Sequence, residues 1–214
     1  YLTVKEVNSG SCTYTNNSSA EITLWRKEEV MKVTIHELFH ALRYDIIDDT
    51  DRIINEYQKK YNISSNTINT NEAYTELWAN IINAYLLSKR IKRNDYNLFL
   101  ILIHLEKHFS LFQCSKIFKK FNMKKKKNYD INKNTNVLAY YFIRCEIFQK
   151  LTLFLKNCRL NNTKYVKMKN KQSWWFTLLK KKNELKLLNE KYNKNEYHNI
   201  TSRMSINELE LFKQ

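Results

Sequence analysis

The stretch VTIHELFHAL, Val33 to Leu42, decides how this chain is read. On an α-helix His36 and His40 stand at i and i+4, so both imidazoles leave one face and can grip a single metal ion. Glu37, about 100° around the helix from His36, points beside such an ion toward the place of a bound water. Val33, Glu37 and His40 share one side of the helix, and Met31, Ile35, Leu38 and Leu42 make the other. That division predicts a buried central helix with its apolar side in the core. In a chain of this composition H-E-x-x-H arises by chance in roughly one sequence in 120, so the motif carries weight of its own.

Two imidazoles leave a zinc ion in need of a third protein ligand, with the fourth position kept for water. The best supply is NEAYTELWAN, Asn71 to Asn80. Glu72 and Glu76 are again i and i+4 and share a narrow face with Ala79 and Asn83. Tyr74, Leu77, Trp78, Ile81 and Tyr85 make the apolar side. Either glutamate can ligate from such a face, and a solvated acidic surface is the plainer alternative. A second pair, His104 and His108, repeats the spacing without a glutamate at the second position. An H-x-x-x-H pair is expected by chance in roughly one chain in nine, so it reads as a structural or surface pair, with His104 as a rival third ligand.

Around these motifs the periodicity predicts an α+β fold, mainly α-helical. Residues 11–15 (SCTYT) and 20–25 (AEITLW) alternate about Asn16, Asn17, Ser18 and Ser19 and read as a hairpin. Helices are expected over 27–43, 51–61, 69–89, 95–121 and 135–157, the third opened by a capping box of Asn69 and Glu72. The helix over 135–157 is apolar nearly all round, which predicts a buried element. Two more are expected over 173–192 and 205–212, the latter opened by Ser205 and Glu208. One domain follows, with a hairpin over 1–26, catalytic helices over 27–160 and a basic helical C-terminal extension over 161–214.

With 214 residues, 43% hydrophobic and 14% aromatic, the chain can bury one sizeable core, which excludes a disordered chain. One glycine and no proline exclude collagen-like and linker-rich classes and argue against a turn-rich sheet protein. Cys12, Cys114, Cys145 and Cys158 are scattered, so neither a thiolate metal site nor a disulfide framework is signalled, and a reducing compartment is expected. The longest aliphatic or aromatic run, Leu98 to Ile103, is far short of the roughly 20 residues of a membrane span, and no signal-peptide pattern opens the chain. A soluble, cytoplasmic protein is expected. The charge is divided: residues 1–88 hold 8 Lys/Arg against 12 Asp/Glu, and residues 89–214 hold 29 against 9. With 29 Lys and 27 Asn in the chain, AT-rich codon usage accounts for part of that bias.

HELFH at 36–40 followed by NEAYTE at 71–76 resembles the gluzincin zinc peptidases, the thermolysin-like clan. WRKEEVMKVTIHELFHAL together with NEAYTELWA is also similar to uncharacterised metallopeptidase-like proteins of large DNA viruses, which extends the expected location to a host cell or virion. The resemblance implies Zn²⁺ on His36, His40 and Glu72, with Glu37 as the general base that hydrolyses peptide bonds through a zinc-activated water. Glu76 stands where the family has an aspartate that braces a ligand histidine. The resemblance further implies a peptide or protein substrate laid along the AEITLW strand, and Tyr140 or Tyr141 as a stabiliser of the oxyanion. The alternative is a non-catalytic binding module, zinc-containing or metal-free, whose basic half recruits nucleic acid or acidic proteins through Lys124 to Lys127 and the lysines around Trp174 and Trp175.

Overall fold

A chain so poor in glycine and proline has to turn on Asn, Asp and Ser, and it does so from the first element onward. The computed structural model describes residues 2–16, 19–45, 48–93, 95–121, 130–158, 175 and 202–207. A short helix α1 (Val4–Val7) is closed by a capping box of Thr3 and Glu6. The hairpin follows as β1 (Gly10–Tyr14) and β2 (Ala20–Leu24), antiparallel, with Gly10 opposite Leu24 and Tyr14 opposite Ala20. Its turn is held by Ser19 N donating to Asn16 Oδ1 at 2.8 Å. A 3₁₀ turn (Lys27–Glu29) leads into α2 (Val30–Ala41), against which both strands pack.

Beyond α2 come α3 (Asp51–Tyr61), ended by Asn62 in the left-handed conformation, then α4 (Thr70–Ile91) and α5 (Tyr96–Lys120), where the Asp95 side chain accepts from Leu98 N at 3.0 Å. The order of layers is hairpin, α2, α4 and then α5, with the last helices filling the space between α4 and α5. Tyr74, Leu77, Ile81 and Ala84 of α4 join Leu102, Leu111 and Ile117 of α5 in one apolar core. The mainly helical α+β architecture is therefore as the sequence predicts. Among the described residues no helix is long and apolar enough to cross a membrane.

Four local expectations are overturned. Of the expected apolar side of α2 only Ile35 packs against the core, with Met31 37%, Leu38 41% and Leu42 60% exposed, while Lys32, Val33, His36, Glu37 and Phe39 are buried. This inversion is tolerable because the inward Lys32 and His36 are paired with carboxylates of the later helix α4. Secondly, Asn69 has φ 56° and its side chain caps nothing; Asp49, twenty residues upstream, takes its place, accepting from Thr70 N at 3.0 Å and from the Thr70 hydroxyl. Glu72 is thereby left free to turn inward. Thirdly, the stretch 135–157 is not one helix but a π-helix (Leu138–Ile143) followed by α6 (Arg144–Gln149) and α7 (Leu151–Cys158), broken at Lys150. Fourthly, Ser205 to Asn207 are not helical, the N–H groups of Ile206 and Asn207 being taken by the Glu106 carboxyl, and the rest of that expected helix, 208–212, lies outside the described residues. Apart from residue 175, the helix expected over 173–192, the Lys124 to Lys127 run and the lysines around Trp174 lie outside the described residues.

Candidate metal centre

The packing of α4 across α2 brings the two sequence motifs face to face. His36 Nε2 and His40 Nε2 lie 3.0 Å apart, and Glu72 Oε2 is 3.3 Å from the first and 3.4 Å from the second. Three donor atoms thus form a nearly equilateral triangle. A tetrahedral zinc site with bonds of about 2.0–2.1 Å has edges of about 3.3–3.4 Å, so this face of the tetrahedron already exists in the side chains. Among the described residues, His36, His40 and Glu72 are the one group of His, Cys, Asp and Glu able to hold an ion.

Each imidazole is oriented from behind by a carboxylate on its other nitrogen. His36 Nδ1 lies 2.9 Å from Glu76 Oε2, and His40 Nδ1 lies 2.7 Å from Asp45 Oδ2. Such partners fix a ring and direct its Nε2, here toward the point that the three donor atoms share. Glu76 is itself buried and held by Lys32 Nζ at 2.8 Å, with Arg144 Nη1 at 3.7 Å from the same oxygen. Burial opposes charge on Glu76, but Lys32, His36 and Arg144 overcome it and bring its pKa down to about 2. Burial likewise opposes charge on Glu72, and the two imidazoles hold it ionised well below the usual carboxylate range. His40 is desolvated too, yet Asp45 and Glu72 raise its pKa to about 11. In each case the pairing between imidazole and carboxylate, joined at Glu76 by Lys32 and Arg144, outweighs the burial that opposes charge.

Glu37 is set differently. Its side chain is 5% exposed, forms no hydrogen bond among the described residues, and has its pKa raised chiefly by burial, against the pull of His36 and His40. It borders both a cavity of about 450 Å³ and a smaller one of about 20 Å³ behind the site. The smaller is large enough for one water molecule. The larger opens over the three donor atoms and is walled by Asn8, Gly10, Ser11, Cys12 and Tyr14 on one side and Asp48, Asn71, Asn136 and Tyr140 on the other. Residues of β1 make that wall. None comes from β2, so the AEITLW strand is not the one facing the site: it pairs with β1, which lies between it and the cavity.

Gly10, the chain's sole glycine, has an ordinary negative φ, so it is needed for space rather than for its backbone. A Cβ there would stand 2.6 Å from Val33 Cγ1 and 2.9 Å from Glu37 Oε1. Of the two tyrosines, Tyr140 reaches the site, its hydroxyl donating to Glu72 Oε2 at 3.0 Å. Tyr141 does not: one position further round the π-helix, it donates to the Ser202 carbonyl at 2.5 Å. His104 and His108 are exposed on α5 and touch each other instead, so His104 is not the third donor. Sequence reasoning missed Asp45, Lys32 and Arg144. Asp45 left one faint trace, membership of the acidic cluster just past α2; a buried Lys and Arg leave none.

No family model, no curated protein and no solved structure matches this chain.

Proposed function

We propose that this protein is a zinc-dependent hydrolase of peptide bonds, and that His36, His40 and Glu72 hold its metal. The observation that carries the reading is the triangle of donor atoms, open to a 450 Å³ cavity, with an unpartnered carboxylate at its edge. Zinc on three protein ligands would supply a Lewis acid and a water whose pKa falls to about 7. Glu37 is the group for the proton: its lifted pKa suits a base that takes a proton from water and returns it to a leaving amine. Tyr140 holds the ligating oxygen of Glu72, and this hydrogen bond ties it to the metal centre. The amides of Asn8, Asn71 and Asn136 give the cavity a lining that suits peptide groups.

The test is metal content and turnover of the wild type beside Glu37→Gln, which keeps size but removes the base. One zinc per chain is expected in both, with peptide-library digestion falling by about 10² to 10⁴ fold in the variant. Protein from zinc-sufficient medium that carries no stoichiometric metal, or a wild type no more active than the variant, refutes the reading.

A further inference from the structure

We propose that the C-terminal segment Ser202–Asn207 is a strap that completes the metal centre, setting Glu76, and through it His36, by way of Arg144 and Glu29. The inference rests on reading His36, His40 and Glu72 as a metal centre, and it adds a part of the chain more than 120 residues from those ligands. The strap is threaded into the core: Met204 and Ser205 are 4% and 1% exposed. Its anchor is Glu106 of α5, wholly buried, whose Oε1 accepts from the Ser205 hydroxyl at 2.5 Å, Ile206 N at 3.2 Å and Asn207 N at 3.1 Å. Gln113 Nε2 donates to the Arg203 carbonyl at 2.8 Å, and Asn83 Nδ2 to that of Asn207 at 3.0 Å.

Held there, Met204 bridges the two sources of positive charge around Glu76. Its N–H donates to Glu29 Oε1 at 3.3 Å, and the same oxygen is 3.9 Å from Lys32 Nζ. Its carbonyl accepts from Arg144 Nη1, which also donates to Asn80 Oδ1 at 2.9 Å. Lys32 and Arg144 both converge on Glu76 Oε1, and the other oxygen of Glu76 faces His36 Nδ1. Met204, finally, lines the water-sized cavity shared with His36, Glu37, Glu76 and Tyr140. Without the strap Arg144 loses a buried acceptor and the cavity loses a wall, so Glu76 is no longer held to one geometry. One consequence concerns synthesis. The centre becomes complete only once the chain has been made as far as Asn207, which withholds full metal affinity from any shorter polypeptide.

The test uses the full chain with Glu106→Leu, which removes the acceptor of three strap donors, and Glu106→Gln, which keeps an acceptor oxygen. Zinc affinity is read by chelator competition at about pH 8, and hydrogen exchange of the α2 amides around His36 is read on metal-free protein. Glu106→Leu is expected to weaken zinc by about tenfold, in the lower range for groups that orient a ligand, and to speed α2 exchange, while Glu106→Gln stays near wild type. If Glu106→Leu frees the strap, seen as faster exchange at 202–207, yet leaves both zinc affinity and α2 exchange unchanged, the proposal is overturned and the strap is packing alone. Should the wild type bind no zinc, the metal-centre reading fails and α2 exchange by itself decides on the strap. Should Glu106→Leu not fold, Gln113→Ala is read in the same two ways.

Discussion

His36 with His40, and His104 with His108, are two pairs with the same helical spacing. In both the rings meet edge to face, with centroids 4.8 Å apart in the first pair and 4.4 Å in the second. The first is enclosed by Glu72, Glu76 and Asp45 from two other segments, whereas the second stands exposed on α5. Any helix can bring two donors onto one face through the i, i+4 spacing. What turns a pair into a site is a third donor at tetrahedral distance and a carboxylate behind each ring, and these come from tertiary packing.

Breaking the pairs should have opposite outcomes. His36→Ala, His40→Ala or Glu72→Ala is expected to abolish stoichiometric zinc binding, since each leaves too few donors for a tetrahedral site, while His104→Ala and His108→Ala should leave it intact. Elemental analysis of the five purified variants checks this, and equal zinc in all five would remove the distinction between the pairs. The orienting carboxylates sharpen it. Glu76→Gln and Asp45→Asn should each weaken zinc by about 10 to 100 fold, as removal of groups that aim a ligand does. Glu76→Ala is a poorer probe, because taking its near carboxylate from buried Lys32 would add a folding cost of about 3–5 kcal/mol.

A smaller effect is expected on the other side of α2. Gly10→Ala forces its Cβ against Val33 and Glu37, so zinc should be retained while turnover falls by about tenfold from displacement of the base. Unchanged turnover in this variant would mean that Glu37 has room to spare. A further effect is on stability. Burial lifts the Glu106 carboxyl to about 7, against the hydrogen bonds from Ser205 and Asn207. Between the ordinary carboxylate range and about pH 7 the folded protein keeps a proton that the unfolded chain has released, so this group makes stability fall as pH rises through that window and level off above it. Thermal melts at about pH 5 and about pH 8 should show a smaller loss in Glu106→Gln than in wild type, and identical slopes would contradict the buried setting of Glu106.

Much of the frame was legible from local signals. The hairpin, α2, α3, α4 and α5 lie within a few residues of where alternation, periodicity and cap residues put them, because those signals act through neighbours along the chain. The face of α2 that turns inward was misread from the same periodicity. An apolar stripe normally marks the core, yet here Lys32 and His36 are buried beside Val33 and Phe39 because Glu76 and Glu72 meet them. The break of 135–157 into π and α segments was equally hidden, since an all-apolar stretch carries no periodic mark of its register.

By itself the sequence determined the two histidines on one helical face, the glutamate between them, the acidic pair on the next long helix and the mainly helical class, all of which follow from 3.6-residue spacing and composition. Only the tertiary structure decided between Glu72 and Glu76 as the third donor, between Tyr140 and Tyr141 at the site, and between β1 and β2 as the cavity wall. It also brought in Asp45, Lys32, Arg144 and the strap from positions with no spacing relation to the motif. These choices depend on which surfaces meet when α4 crosses α2 and the C-terminal segment enters the core. Those contacts span up to 196 residues of chain, from Glu6 to Ser202, a distance over which no local pattern operates.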